Sequence, residues 1–178
     1  MMKSRFFLVT FVVCAAIHCA GCDWVYRALQ KEGAEEKEIL GAITPLEHNP
    51  NVEKVQTLLK VYGYNVGRPD GVLGVNTRNA IGAFQEDNQI PPSRFVDKAT
   101  WAKLLALDNA GLVKKGKLDM AAVQRALQQA GFDPGPVDGR EGHRTQAAIK
   151  AFQKAKGLKS DGKIGIKTLR ELVKYAGE

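Results

Sequence analysis

The chain has 178 residues, a formal net charge of +7, 44% hydrophobic residues and 25% charged residues. That apolar fraction is ordinary for a folded protein and argues against intrinsic disorder, and the length allows one or two domains. The charge is uneven: 14 Lys and Arg stand against 7 Asp and Glu from Lys114 onward, but 10 against 12 between Cys22 and Val113. A basic C-terminal half has two readings, a polyanionic or acidic partner or a solvated lysine-rich surface.

Met1 to Arg5 is short and basic, Phe6 to Ile17 is apolar, and Ala20 and Gly21 precede Cys22. This is the three-part pattern of a secretory signal. The apolar run falls well short of the roughly 20 residues that span a bilayer, which disfavours a permanent transmembrane helix. Cys19-Ala20-Gly21-Cys22 resembles the lipobox of bacterial lipoproteins, with Cys19 where that family usually has Leu. The resemblance implies a signal peptide over 1–21 and a diacylated Cys22 as the mature N-terminus, held stably on a membrane by its acyl chains. An ordinary signal peptide cut nearby is the alternative. All three cysteines lie at or before position 22, so no disulfide is expected beyond that position. In a Gram-negative lipoprotein, Asp23 directly after the cysteine implies retention at the periplasmic face of the inner membrane.

Residues 22–48 read as a lipid-anchored spacer. Trp24 to Leu40 is expected to be helical, with Trp24, Val25, Ala28 and Leu29 as a short apolar stripe, before a Gly/Pro-containing linker. Trp24 either sits at a lipid interface or packs on the neighbouring folded module. His48 is expected to be a solvated loop residue.

The rest of the chain is a repeat. Pro69 to Gln85 (PDGVLGVNTRNAIGAFQ) recurs as 137–153 at a constant offset of 68, and a fixed-offset repeat sets the architecture. Asn49-Pro50 opens the first helix, with Val52, Val55, Leu58, Leu59 and Tyr62 on one face and Gly63 as its stop. In the second copy Leu118, Ala122, Val123, Ala126, Leu127 and Ala130 match, and Gly131 is the stop. Asp70-Gly71 and Asp138-Gly139 predict compact turns. Thr77 and Thr145 then open second helices whose buried faces are Ala80, Ile81 and Phe84, and Ala148, Ile149 and Phe152. Gln85 and Gln153 are expected to bond nearby loop backbone. Third helices are expected over Asp97–Leu107 and Gly165–Tyr175. Before them the copies diverge: the second repeats an Asp-Gly turn at Asp161-Gly162, whereas the first reads Pro91-Pro92-Ser93-Arg94-Phe95-Val96-Asp97. The expected fold is therefore all-α, two tandem small three-helix modules behind a signal peptide and a helical spacer: a first module over 49–108, a linker over 109–116 and a second module over 117–178.

The pattern V-Q-x-x-L, then G, then D-G-x-x-G-x-x-T-x-x-A-I-x-A-F-Q, then D-G-x-x-G-x-x-T resembles the peptidoglycan-binding domain of bacterial cell-wall proteins. The second copy carries it almost throughout, from Val123 and Gln124 through Asp138, Gly139, Gly142, Thr145 and Gln153 to Asp161, Gly162, Gly165 and Thr168. The resemblance implies binding without chemistry, with peptidoglycan as partner and no cofactor or metal. The candidate ligand residues are Arg140 and Arg144, suited to bidentate carboxylate contact, with Asp138, Gly139 and Thr145 of the turn. His143, between the arginines, is either a pH-sensitive donor or a surface bystander. The first-module equivalents are Asp70, Gly71 and Thr77. The positions matching the arginines are Val72 and Asn76, so the second module is expected to be the stronger binder.

Rival readings differ in class. Beyond Cys22 the sequence has no cysteine and only two histidines, His48 and His143, which excludes a Cys-His transpeptidase and a multi-His zinc amidase. A carboxylate pair is not excluded by spacing alone, but the chain is expected to be non-catalytic, because nothing outside the repeats is left to form a catalytic domain. A module that docks a cell-wall enzyme or another envelope partner is the alternative. Nucleic acid is not an expected partner: the leader directs the chain outward, and no aromatic-rich basic motif is present.

Overall fold

A computed structural model of the chain describes residues 27–176. The lipobox, Cys22, Asp23 and Trp24 lie outside the described residues. The element order is α1 (27–40), α2 (Pro50–Val61), α3 (Val75–Asp87), α4 (Lys98–Leu104), α5 (Ala106–Asn109), β1 (Val113–Lys114), β2 (Lys117–Leu118), α6 (Met120–Gln129), α7 (His143–Ala155) and α8 (Ile166–Leu172), closed by a 3₁₀ turn over Val173–Tyr175. The fold is all-α apart from one two-stranded hairpin, and it contains the two tandem modules expected from the repeat.

The first helix of each module starts where a side chain satisfies free backbone N–H groups. Asn49 accepts from the amides of Asn51 and Val52, and Asp119 accepts from those of Ala121 and Ala122. The apolar stripes of these helices meet the second helices over Phe84 and Phe152, both fully buried. Tyr62 and Tyr64 pack against Phe84 with ring centroids 5.1 and 5.8 Å away; Phe132 and Tyr175 flank Phe152 at 5.6 and 6.0 Å. Tyr62 donates its hydroxyl to the Lys103 carbonyl at 2.9 Å, and burial pushes its pKa up to about 12.

Three sequence expectations meet a difference. The third helices are broken: α4 ends at Leu104, and Leu105, with ψ near −10°, passes the chain into the short α5. In the second module the continuation tightens to a 3₁₀ turn. The linker stretch is an ordered hairpin, with Val113 opposite Leu118 and Lys114 opposite Lys117. Lys115 and Gly116 both have positive φ, the backbone pattern of a two-residue type I′ turn. Leu118, expected on the helix face, therefore lies on β2. Leu112, just before the hairpin, is fully buried, and β2 lies against α2. Arg170 of the second module donates to the Asp87 carbonyl of the first at 2.6 Å.

The third difference concerns α1. The stretch read as spacer packs onto the first module. Leu40 joins the buried core. Glu36 is only 3% exposed. It accepts both Arg78 guanidinium nitrogens at 2.6 and 2.8 Å, and the Val96 amide at 2.9 Å. Arg78 in turn lies over the Phe95 ring, 4.9 Å from its centroid. Glu35 accepts the Lys98 amide, and Glu38 pairs with the Lys98 ammonium at 3.2 Å. Removing one partner of a buried ion pair costs about 3–5 kcal/mol, because the other charge stays desolvated. Arg78 is partly exposed, so Glu36→Ala is expected to cost about 3 kcal/mol, read by denaturant unfolding. A loss below about 1 kcal/mol would show that this carboxylate does not hold α1 in place.

Candidate functional site

The candidate site is built on turns, and each turn is held by a buried glutamine. Gln124 projects from α6 under the Asp138-Gly139 turn. Its Nε2 donates to Asp138 Oδ1, the Arg140 carbonyl and Thr145 Oγ1 at 3.1, 3.0 and 3.2 Å, and its Oε1 accepts the Gly139 amide at 2.8 Å. Gln56 does the same for the first module, bonding Asp70 Oδ1, the Val72 carbonyl and Thr77 Oγ1 and accepting the amides of Asp70 and Gly71. Gln153 repeats the arrangement at Asp161-Gly162, reaching Asp161, the Lys163 carbonyl and Thr168 and accepting the Gly162 amide. Gln85 holds the divergent turn of the first module through Ser93, Phe95 and Thr100 and accepts the Arg94 amide. The expectation that Gln85 and Gln153 bond loop backbone agrees with this geometry. Gln56 and Gln124 were visible only as motif letters. The signal that reveals Gln56, Gln124 and Gln153 is the pattern D-G-x-x-G-x-x-T, each time behind a glutamine; Gln85 follows only from the offset of 68.

The predicted residues fall into two groups. Thr145 is buried; its hydroxyl accepts from Gln124 and donates to the Pro134 carbonyl at 3.0 Å. Thr77 is buried and bonded to Gln56. The amides of Gly139 and Gly71 are taken by the glutamines. Gly71 also allows a close approach: a Cβ there would collide with Nδ1 of His48, an exposed loop residue whose ring lies against the Asp70 carbonyl. These groups shape the turns. The carboxyls of Asp70, Asp138 and Asp161 sit below the usual range. The main cause is the Gln56 amide for Asp70, the Arg140 backbone N–H for Asp138 and the Lys163 backbone N–H for Asp161.

The second group is exposed. Arg140, His143 and Arg144 all face solvent. Arg144 is ion-paired with Asp133, whose carboxyl is lowered by the Gly135 amide and by Arg144. Arg140 makes no side-chain hydrogen bond or ion pair within the described residues; its backbone is held by Asp138 and Gln124.

Two concavities lie near these turns. A groove of about 860 Å³ runs between α2 and the hairpin, with Lys54, Lys60, Arg68, Lys115 and Lys117 facing Glu53 and Asp108. Lys54 and Asp108 are paired at 3.0 Å. A second groove of about 480 Å³ lies in the second module between its two turns, walled by Glu141, Gln146, Lys150, Asp161, Gly162, Lys163 and Ile164 over Leu118 and Met120. Neither Arg140 nor Arg144 lines it. Among the described residues no three His, Cys, Asp or Glu side chains converge as a metal site, and no helix is long and apolar enough to cross a membrane.

Three helices around glutamine-clamped turns, repeated once at a fixed offset, define a class of small all-α modules used in tandem. Residues 48–104 and 117–172 each match the family described as "Putative peptidoglycan binding domain". The chain belongs to this family. It is 44% identical over 54 residues to the N-acetylmuramoyl-L-alanine amidase CwlM of Mycobacterium tuberculosis, a match covering 30% of this chain and 13% of that protein. It is 37% identical over 65 residues to the localization factor PodJL of Caulobacter vibrioides, covering 36% of this chain and 7% of that protein. The chain thus spans only a small part of the relatives it matches. No solved structure gives a significant match.

Gln153→Ala strands the buried Gly162 amide, while the Lys163 carbonyl keeps the Gly165 amide at 3.0 Å. A stability loss of about 1–3 kcal/mol, the cost of one buried group left unpaired, is expected in thermal or denaturant unfolding. Gln153→Glu is expected to be no better, because it removes the donor and faces Asp161 with a second carboxylate. Wild-type stability in either variant would overturn the clamp.

Proposed function

We propose that this protein binds peptidoglycan without catalysing a reaction on it, mainly through its basic second module, as a lipoprotein anchored at Cys22 in the bacterial cell envelope. The observation that carries the reading is the tandem match to the peptidoglycan-binding family, one copy per module. The free guanidinium of Arg140 supports the second module as the stronger binder. Arg144 is shared with Asp133, so a carboxylate ligand would have to compete for it. Exposed ion pairs contribute only about 0.2–1 kcal/mol each. Weak single sites suit a module tethered at a membrane that faces a polymer, where effective concentration raises retention. Asp23 supports the periplasmic face of the inner membrane if the cell is Gram-negative. A second reading, docking of a cell-wall enzyme or envelope partner, draws support from the module shared with a protein whose name describes it as a localization factor.

Co-sedimentation of the mature protein with protein-free sacculi tests the main reading. Retention is expected, about 2- to 30-fold weaker when Arg140 and Arg144 are both changed to alanine. If the protein stays in the supernatant at every salt concentration, wall binding is wrong and the docking reading takes its place. For the anchor, Cys22→Ser is expected to abolish acyl labelling and to release the protein from membranes; unchanged membrane fractionation would remove the lipoprotein assignment.

A further inference from the structure

The two modules correspond residue for residue, and the places where they differ show where a ligand carboxylate belongs. At the offset of 68, the groove residues Gln146, Lys150, Gly162 and Ile164 correspond to Arg78, Gly82, Arg94 and Val96. In the first module this place is occupied by the chain itself. The Glu36 carboxylate of α1 sits on the Val96 amide and the Arg78 guanidinium, and α1 closes the groove. In the second module no segment among the described residues covers the equivalent place. The Ile164 amide, counterpart of Val96, is not taken by any acceptor in the described chain.

A basic side chain borders the place in both modules, but from opposite walls. In the first, Arg94 comes from the turn and lies across Gly82, whose missing Cβ would stand 3.1 Å from Arg94 Cγ. In the second, Lys150 comes from α7 and lies across Gly162, whose missing Cβ would stand 3.0 Å from Lys150 Cε. Arg94 adopts a positive φ of 66°, normally left to glycine, and Gly162 has φ 77° at the matching position. Lys150 and Lys163 form no ion pair within the described chain. Of the acids in the groove, Glu141 accepts from Gln146 at 3.4 Å, and Asp161 is bonded to the Lys163 amide and Gln153 and lies 3.8 Å from Lys159.

We propose that the second-module groove is a carboxylate-binding site for the stem peptide of peptidoglycan, in which the Ile164 amide, Lys150 and Lys163 receive the group that Glu36 supplies internally to the first module. This rests on the wall-binding reading and gives it a ligand and a site. It also assigns α1 a role, keeping the first module closed to the same ligand.

The test is an amide-resolved NMR titration of the mature chain with a synthetic stem tetrapeptide bearing free carboxylates. Its fully amidated form and a helical peptide of sequence 31–40 are titrated in parallel. Shifts centred on Ile164 and Gly162 are expected with the free-carboxylate peptide, with little response to the amidated form and none at Val96. Lys150→Ala with Lys163→Ala is expected to weaken binding about tenfold; both side chains are on the surface, and an unchanged helical spectrum confirms the fold. Glu36→Ala is expected to make the Val96 amide respond as a second site. An unmoved Ile164, or equal response to the amidated peptide, would overturn the proposal. So would preference for the 31–40 peptide, which would make the groove a protein-docking site. Sacculus binding that survives the double lysine change undiminished would refute this site while leaving wall binding intact. Loss of sacculus binding by the wild type would refute the wall-binding reading itself.

Discussion

The interaction on which the modules depend is a buried primary amide holding a turn from beneath. A glutamine side chain offers two N–H donors and a carbonyl acceptor in one plane, and a tight turn presents the complementary set: a backbone amide, a backbone carbonyl and an aspartate or hydroxyl oxygen. Each of Gln56, Gln85, Gln124 and Gln153 is buried and uses both ends. The arrangement ties a surface loop to a helix that is itself fixed by its apolar face. It also leaves no buried side-chain nitrogen or oxygen without a partner among the described residues, as a stable polar interior requires. Small modules of this size bury little apolar surface, so rigidity of the loops depends heavily on these bonds.

With the scaffold duplicated, the copies are free to differ at its rims. The first module replaces Asp161, Gly162 and Gly165 with Ser93, Arg94 and Asp97, yet its turn keeps the same glutamine, and Asp97 caps α4 by accepting the Thr100 amide. The replaced positions face α1. The Arg94 carbonyl accepts from Arg78, which is itself paired with Glu36, the Val96 amide donates to Glu36, and the Lys98 amide donates to Glu35. The divergence reads as adaptation to a helix of the same chain. In the second module the matching surface remains open, with Lys150 and Lys163 beside Glu141 and Asp161 on its walls, and it lies in the basic half of the sequence.

Much of this was legible in the chain. The constant offset predicted two modules, the apolar spacing predicted α2, α3, α6 and α7, and Asn49-Pro50 marked a helix start. Those features are local: propensity, capping and periodicity act within a few residues. The broken third helices were not legible, because Leu104 and Leu107 suit a continuous helix as well as one interrupted at Leu105. The hairpin at Lys115-Gly116 falls in the stretch expected to be a linker, since a two-residue strand carries too little pattern to register. Among the site residues, sequence placed Asp138, Gly139 and Thr145 at the turn correctly, but gave no means of separating Thr145, buried and bonded inward, from Arg140, exposed and unpaired.

Sequence alone determined the family, the tandem architecture and the cationic character of the C-terminal half, because each is written in residue order or composition. Tertiary structure decided which polar groups are already satisfied, that Arg144 shares its charge with Asp133, and that the helix before the first module closes one of two equivalent grooves. Those outcomes depend on contacts such as Glu36 to Val96, 60 residues apart. No local pattern encodes such a contact. Glu36 stands in the sequence as one acid among several, and only the packing of α1 gives it a partner and removes it from water.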